Sequence, residues 1–356
     1  MVKGFKKMKI YDDNGYLNIP QIMKGPAVYN FIVGGRGIGK TFGALKYAVD
    51  NKIKFIFMRR TQVQVDMIKD DNLNPFNALT AVLGHDYEFM MKKINKNITA
   101  VYHAQWDSEK QMNVAGGPIL GYIMALSTVS NIRGFDASDV SMLIYDEFIG
   151  EKHERPIRDE GAAFLNALET IARNRELQGL EPLKVLCLSN SNDLSNPIFI
   201  QLKIVKDVER MVRNGQEYRY MPDRHLALYV LQITPIGAAK AQTTLYKLAG
   251  DSEFTQMALS NDFSNEEMAE IRPQNIRDYK PVVQVGEICI YRHKSKHLYY
   301  VTSFRSGSPE IYDSSAMDLK RFSRNMYHIW LAYLNRHVIF ESYMDQVLLE
   351  NYFRFR

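Results

Sequence analysis

At 356 residues, 46% of them apolar and 24% charged, the chain is too long for one ordinary domain and too apolar for disorder, so two cores are expected. A formal charge of +5 suits a nucleic-acid partner and an ordinary soluble protein equally well. No apolar stretch approaches the ~18 residues that span a bilayer. The Lys-rich start precedes no apolar segment, and the two cysteines, Cys187 and Cys289, show neither metal-ligand nor CxxC spacing. The expectation is a soluble, intracellular protein with no membrane contact and no structural disulfide.

Residues 17–21 (LNIPQ) read as a short extended segment ending at a proline. Gln21 is a candidate for the adenine edge of a nucleotide, the alternative being a plain surface residue. Residues 28–33 (VYNFIV) read as a buried strand and 42–49 as a helix. Between them Gly34, Gly35, Arg36, Gly37, Ile38, Gly39, Lys40 and Thr41 satisfy G-x-x-x-x-G-K-[ST] at every fixed position. Glycines let the backbone turn its N–H groups inward, and the helix N-terminus adds partial positive charge, so the loop favours a polyphosphate. Lys40 is placed for the β- and γ-phosphates and the Thr41 hydroxyl for Mg²⁺.

Residues 54–58 (KFIFM) form the next strand, completing a βαβ unit whose crossover is expected to be right-handed. Arg59 and Arg60 follow at its C-terminal end, where ligands of such sheets gather. A phosphate or neighbouring-subunit role and a solvated pair are both open for them. Residues 61–83 have helical periodicity broken at Pro75. Residues 87–126 are β-rich, with Gly116-Gly117-Pro118 as a hairpin signal and the character of an insertion between sheet strands.

Residues 141–147 (SMLIYDE) are an apolar strand ending in two carboxylates. Asp146 suits the metal, directly or through water, and Glu147, pointing the other way, suits activation of the attacking water. Paired with a phosphate loop upstream, they point to hydrolysis. Residues 161–172 put Phe164, Leu165, Leu168, Ile171 and Ala172 on one helical face, a core stripe. Arg173-Asn174-Arg175-Glu176 then projects two guanidinium groups from the helix end. They either cap it or supply an arginine finger to a neighbouring subunit's γ-phosphate, an effect worth ~10³ to 10⁵ in rate. Residues 184–188 (KVLCL) are the next buried strand. Asn190, just beyond it, is placed to sense the γ-phosphate or hold the lytic water, with a turn through Ser191-Asn192-Asp193 as the alternative.

In this order the pieces resemble the DNA-packaging ATPases of phi29-like podophages, relatives of large terminase subunits. The resemblance rests on GGRGIGKT at 34–41, FIFMRR at 55–60, Arg133-Gly134, IYDEFIGEK at 144–152, RNRE at 173–176, and CLSN followed by NP at 187–197. It implies an α/β fold: a RecA-like, ASCE-type P-loop ATPase domain with a mostly parallel sheet, a small linker domain, and a C-terminal RNase H-like α+β domain lacking nuclease residues. It further implies ATP at Lys40 and Thr41, Mg²⁺ at Asp146, Glu147 as catalytic base, Arg173 as the finger acting in trans, and Arg36 as a further phosphate contact. Such enzymes form a pentameric ring at the portal vertex of a procapsid in the host cytoplasm and drive double-stranded DNA inside. Some work with a structural packaging RNA.

The ATPase domain is expected over 1–232, the linker over 233–263 and the last domain over 264–356. Residues 226–231 are an apolar run, Pro235-Ile236-Gly237 interrupts the chain soon after, 238–254 read as helical and 261–275 as polar and acidic. Residues 287–292, 298–304 and 310–312 read as strands of a meander, and helical spacing returns over 340–353 before a basic ending at Arg354 and Arg356. A two-metal nuclease needs a carboxylate cluster, whereas strand 287–293 offers only Glu287. The domain is therefore expected to bind rather than cut. Lys294, Lys296, Arg305, Lys320, Arg321 and Arg324, interleaved with Tyr299, Tyr300 and Phe322, are candidate phosphate contacts, a solvated basic loop being the alternative. A helicase or recombination ATPase is the competing enzyme class. A nucleotide-gated scaffold that never hydrolyses is weakened by Glu147.

Overall fold

The computed structural model describes residues 9–68, 74–84, 87–132, 134–150, 154, 157, 159–190, 196–232, 234–250, 255 and 270–354. Arg133, residues 151–152 of the carboxylate motif, the 191–193 turn, residues 251–254 and 261–269, and Arg356 lie outside them. Two compact units result: Met1–Gln201 with Met211–Asp262, and Leu202–Arg210 with Phe263–Arg356.

In the first unit, β1 (Tyr29–Gly34), β2 (Phe55–Arg59), β3 (Phe89–Lys93), β4 (Thr99–Asp107), β5 (Met112–Ala125), β6 (Met142–Asp146), β7 (Lys184–Ser189), β8 (Tyr218–Met221) and β9 (Leu226–Leu231) form one sheet. Their order is β3-β4-β5-β2-β6-β7-β1-β9-β8. Every pairing from β5 across to β9 is parallel, while β3, β4 and β8 join antiparallel at the edges. Parallel strands covered on both faces have no solvent side, which is why β2, β6 and β9 read as unbroken apolar runs. One face packs under α1 (Ile19–Met23), α2 (Lys40–Asp50), α3 (Gln62–Ile68) and α4 (Asn77–Leu83), through Ile22, Leu45, Val65, Leu79 and Phe57. On the other, the Phe31 ring meets Phe148, Phe164 of α5 (Glu160–Ala172) and Phe199 of α6 (Pro197–Gln201) edge-on, at 5.6, 6.2 and 6.0 Å. Since the parallel strands run one way, Gly34, Arg59, Ala125, Asp146, Ser189 and Leu231 all finish on one edge of the sheet.

Three local expectations are corrected. Residues 19–21 are helical, because Asn18 caps α1 and Pro20 lies in its first turn, where a missing N–H costs nothing. The hairpin turn lies at 108–111, where the Asp107 carboxylate accepts from the amides of Glu109 and Lys110. Gly116-Gly117-Pro118 sits inside β5, where the ladder passes from Gly116↔His103 to Gly121↔Val101 and the intervening residues bulge out. Leu165 is exposed, since the buried stripe of α5 runs through Phe164, Ala167 and Ile171.

The helices continue with α7 (Val205–Arg213), α8 (Pro235–Lys240) and α9 (Thr244–Ala249). The second unit's sheet combines β10 (Tyr279–Val285), β11 (Ile288–His293), β12 (Tyr299–Thr302), β13 (Glu310–Tyr312) and β14 (Val338–Phe340) in the order β13-β10-β11-β12-β14. β10, β11 and β12 are an antiparallel meander, and β13 and β14 each add a parallel strand at one edge. Helices α10 (Ala316–Asn325) and α11 (Tyr327–Leu334) were not legible in the sequence. The helix expected over 340–353 begins only at Tyr343 as α12 (Tyr343–Phe353), because Ser342 and Asp345 form a capping box ahead of it and 338–340 pair as β14.

Candidate active site

β1 ends at Gly34, and the loop turns through Gly37 (φ 77°) and Gly39 (φ 84°) into α2. Lys40, at the start of α2, is buried. Its ammonium donates to the carbonyls of Gly34 (2.7 Å) and Gly35 (2.8 Å) and to Asn190 Oδ1 (2.7 Å). Burial pulls its pKa down to about 8 against the opposing pull of Glu147 and Asp146. The Thr41 hydroxyl donates to Asp146 Oδ1 at 2.9 Å.

Asp146 closes β6 at 2% exposure. Glu147, immediately after it, adopts φ 55°, a left-handed conformation that a non-glycine residue takes at a cost of roughly 1–3 kcal/mol. That turn aims its carboxylate at the end of β7, where the Asn190 side-chain amide donates to Oε1; the Phe148 amide bonds the Leu188 carbonyl at 3.1 Å. Burial, then the neighbouring Asp146 charge, raises the Glu147 pKa, with Arg59 and Lys40 opposing. Because β7 lies between β1 and β6, Asn190 reaches Lys40 and Glu147 at once.

Two hard oxygen donors, the Thr41 hydroxyl and the Asp146 carboxylate, thus stand together as Mg²⁺ requires. The other Asp146 oxygen pairs with the Arg59 guanidinium at 2.8 Å. One hydroxyl and one carboxylate oxygen are the few hard protein donors Mg²⁺ takes when the rest of its sphere is water and phosphate, so the donor set fits the ion. Sequence reasoning missed this role for Arg59. Its signal is positional: β2 and β6 are paired neighbours, so residues at their ends must meet. Arg60 is a different case, buried and forked onto Glu160 through Nε (2.7 Å) and Nη2 (2.9 Å), with Glu154 on Nη1. Replacing it with alanine leaves Glu160 buried without its counter-charge. Arg60→Ala is expected to lose about 3–5 kcal/mol in urea unfolding; a loss below 1 kcal/mol shows that water reaches Glu160 freely.

The two guanidinium groups after α5 separate. Arg175 is buried and donates to the carbonyls of Ser138 (2.7 Å) and Val140 (2.8 Å), locking the segment that enters β6. Arg173 is exposed, at φ 46°, and contacts the carbonyls of Thr170 and Phe135. It lies at the sheet edge where β6 begins. Five residues at ~3.3 Å each put roughly 16 Å of strand between that edge and Asp146. Gln21 is exposed on α1, a segment tied to the phosphate loop by the Leu17 amide on the Ile38 carbonyl (2.9 Å). The Arg36 side chain is exposed on the loop.

Lys40 must be cationic to attract phosphate, and its proton is lost as pH rises through about 8. The affinity for a non-hydrolysed ATP analogue is therefore expected to fall above pH 8, approaching about tenfold per pH unit. Equal affinities at pH 7 and 9.5 by calorimetry contradict that.

A strand inserted between the phosphate-loop strand and the carboxylate strand, ending in a polar side chain, defines the additional-strand (ASCE) class of P-loop ATPases. Within it the chain belongs to the Podovirus DNA encapsidation protein (Gp16) family, whose model matches residues 11–287. It is 23% identical to the DNA packaging protein of Bacillus phage phi29, across 96% of this chain and 98% of that protein. It is 24% identical to the DNA packaging protein of Bacillus phage B103, across 90% and 95%. Among solved structures, a chain of the bacteriophage Phi-29 viral genome packaging motor assembly shares this fold, with a TM-score of 0.67, 19% identity and coverage of 96% of this chain and 100% of that one.

Proposed function

We propose that the chain is the ATP-hydrolysing subunit of a ring motor that drives double-stranded phage DNA through a portal into a procapsid. The observation that carries this is the convergence of Lys40, Thr41, Asp146, Glu147 and Asn190 on one sheet edge in a member of the DNA encapsidation family. Lys40 and the loop amides take the charge of the terminal phosphates. Thr41 and Asp146 would hold Mg²⁺, which would neutralise negative charge on the phosphates. Glu147 accepts a proton from a water as its oxygen attacks the γ-phosphorus and the bond to the β-phosphate breaks. The Asn190 amide holds the Glu147 carboxylate in place for that transfer.

The finger comes from the adjacent subunit as Arg173, since in its own chain that residue lies at the far edge of the sheet. A pentamer, a packaging RNA between ring and capsid, and Gln21 at the adenine belong to the same reading. It places the protein transiently at the portal vertex in the host cytoplasm. No helix among the described residues is long and apolar enough to cross a membrane. The second unit binds nucleic acid without cutting it. In support, β11 carries no carboxylate.

ATP hydrolysis measured alone, with blunt duplex DNA, and with duplex plus procapsids should rise in that order. Unwinding of a forked duplex without that stimulation overturns packaging in favour of a helicase.

A further inference from the structure

The phosphate-loop pattern leaves position 37 open, yet a glycine stands there, and the space its side chain would fill is taken by a residue two hundred positions on. A Cβ on Gly37 would lie 2.0 Å from Lys240 Nζ. That ammonium, at the last residue of α8, donates to the Arg36 carbonyl at 2.8 Å. Helix α8 is held to the loop's surroundings at its other end too. Thr234 caps it through the Gly237 amide (3.0 Å), and Pro235 and Ile236 pack on Gly15. Next to Gly15, the Tyr16 ring covers Gly39. Lys240 therefore reaches the loop from a supported helix, not from a loosely attached tail.

Among the described residues no carboxylate forms an ion pair with Lys240. Lys40 and Arg36 add two further cations to the same loop, and Lys40 feels the repulsion of both. A partly exposed ammonium on a four-carbon stem, held by one neutral carbonyl beside like charges, is poised for a polyanion. We propose that Lys240 is a ligand of the nucleotide's phosphate chain, supplied from outside the nucleotide motifs, and that it selects di- and triphosphates over monophosphates. This rests on the nucleotide-site reading above. It adds to the site a residue that follows β9 in the chain.

The test is calorimetric titration of the full chain with AMP, ADP and a non-hydrolysed ATP analogue, for wild type, Lys240→Ala and Lys240→Arg. Lys240→Ala is expected to weaken the triphosphate at least tenfold and AMP less than twofold. Lys240→Arg should recover to within threefold. Equal weakening of all three nucleotides, with a lowered melting temperature, means Lys240 only braces α8 and overturns the proposal. Unchanged triphosphate affinity in a folded Lys240→Ala protein overturns it as well. A wild-type chain that binds no triphosphate removes the nucleotide-site reading itself and this inference with it.

Discussion

Arg173→Ala is expected to lower ATP turnover by about 10³- to 10⁵-fold while each chain still folds and binds nucleotide. The side chain is exposed, and among the described residues it donates to two backbone carbonyls beside the Asp136 carboxylate, so little stability depends on it. The buried work at this helix end is done by Arg175, which ties down Ser138 and Val140. Arg175→Ala should therefore cost stability, and Arg173→Ala rate. Mixing Arg173→Ala chains with Lys40→Ala chains separates the readings further. A junction pairing an intact phosphate loop from the first with an intact finger from the second is whole, so activity should return. If no mixing ratio restores turnover, Arg173 is a helix cap and nothing more.

The second large effect belongs to Glu147. Glu147→Gln keeps the shape and an acceptor for the Asn190 amide but cannot take a proton, and hydrolysis should fall about 10²- to 10⁴-fold. Nucleotide affinity should hold, because Lys40 and Thr41 are untouched. Desolvation and the adjacent Asp146 charge hold the Glu147 proton on to higher pH than an ordinary carboxylate. The acid limb of the wild-type rate profile should accordingly sit above the usual carboxylate range, and the residual rate of the variant should lose it. Unchanged turnover in Glu147→Gln removes this residue as the base.

The legible parts of the chain are those whose composition burial dictates. Strands sealed on both faces are unbroken apolar runs, so β2, β6, β7 and β9 stood out, and each of the first three hands the chain to a polar residue at the edge where ligands collect. The order of strands across the sheet was not legible, since sequence orders strands along the chain only. That β2 lies beside β6, and hence that Arg59 meets Asp146, required the pairing itself. The split between buried Arg175 and exposed Arg173 turned on where the chain doubles back toward Ser138. Gly116-Gly117-Pro118 misled because bulge and turn draw on the same residues. In the second unit, α11 is apolar nearly all round and shows no periodic stripe to detect.

Helix α5 carries Arg173 away from the phosphate loop of its own chain, and this has a consequence for mixed populations. In the proposed ring each copy would own half of two junctions, so a single inert copy would silence the one it serves as well as its own. Dead protein should then poison living protein out of proportion to its dose, and a dilute chain should idle until its neighbours arrive.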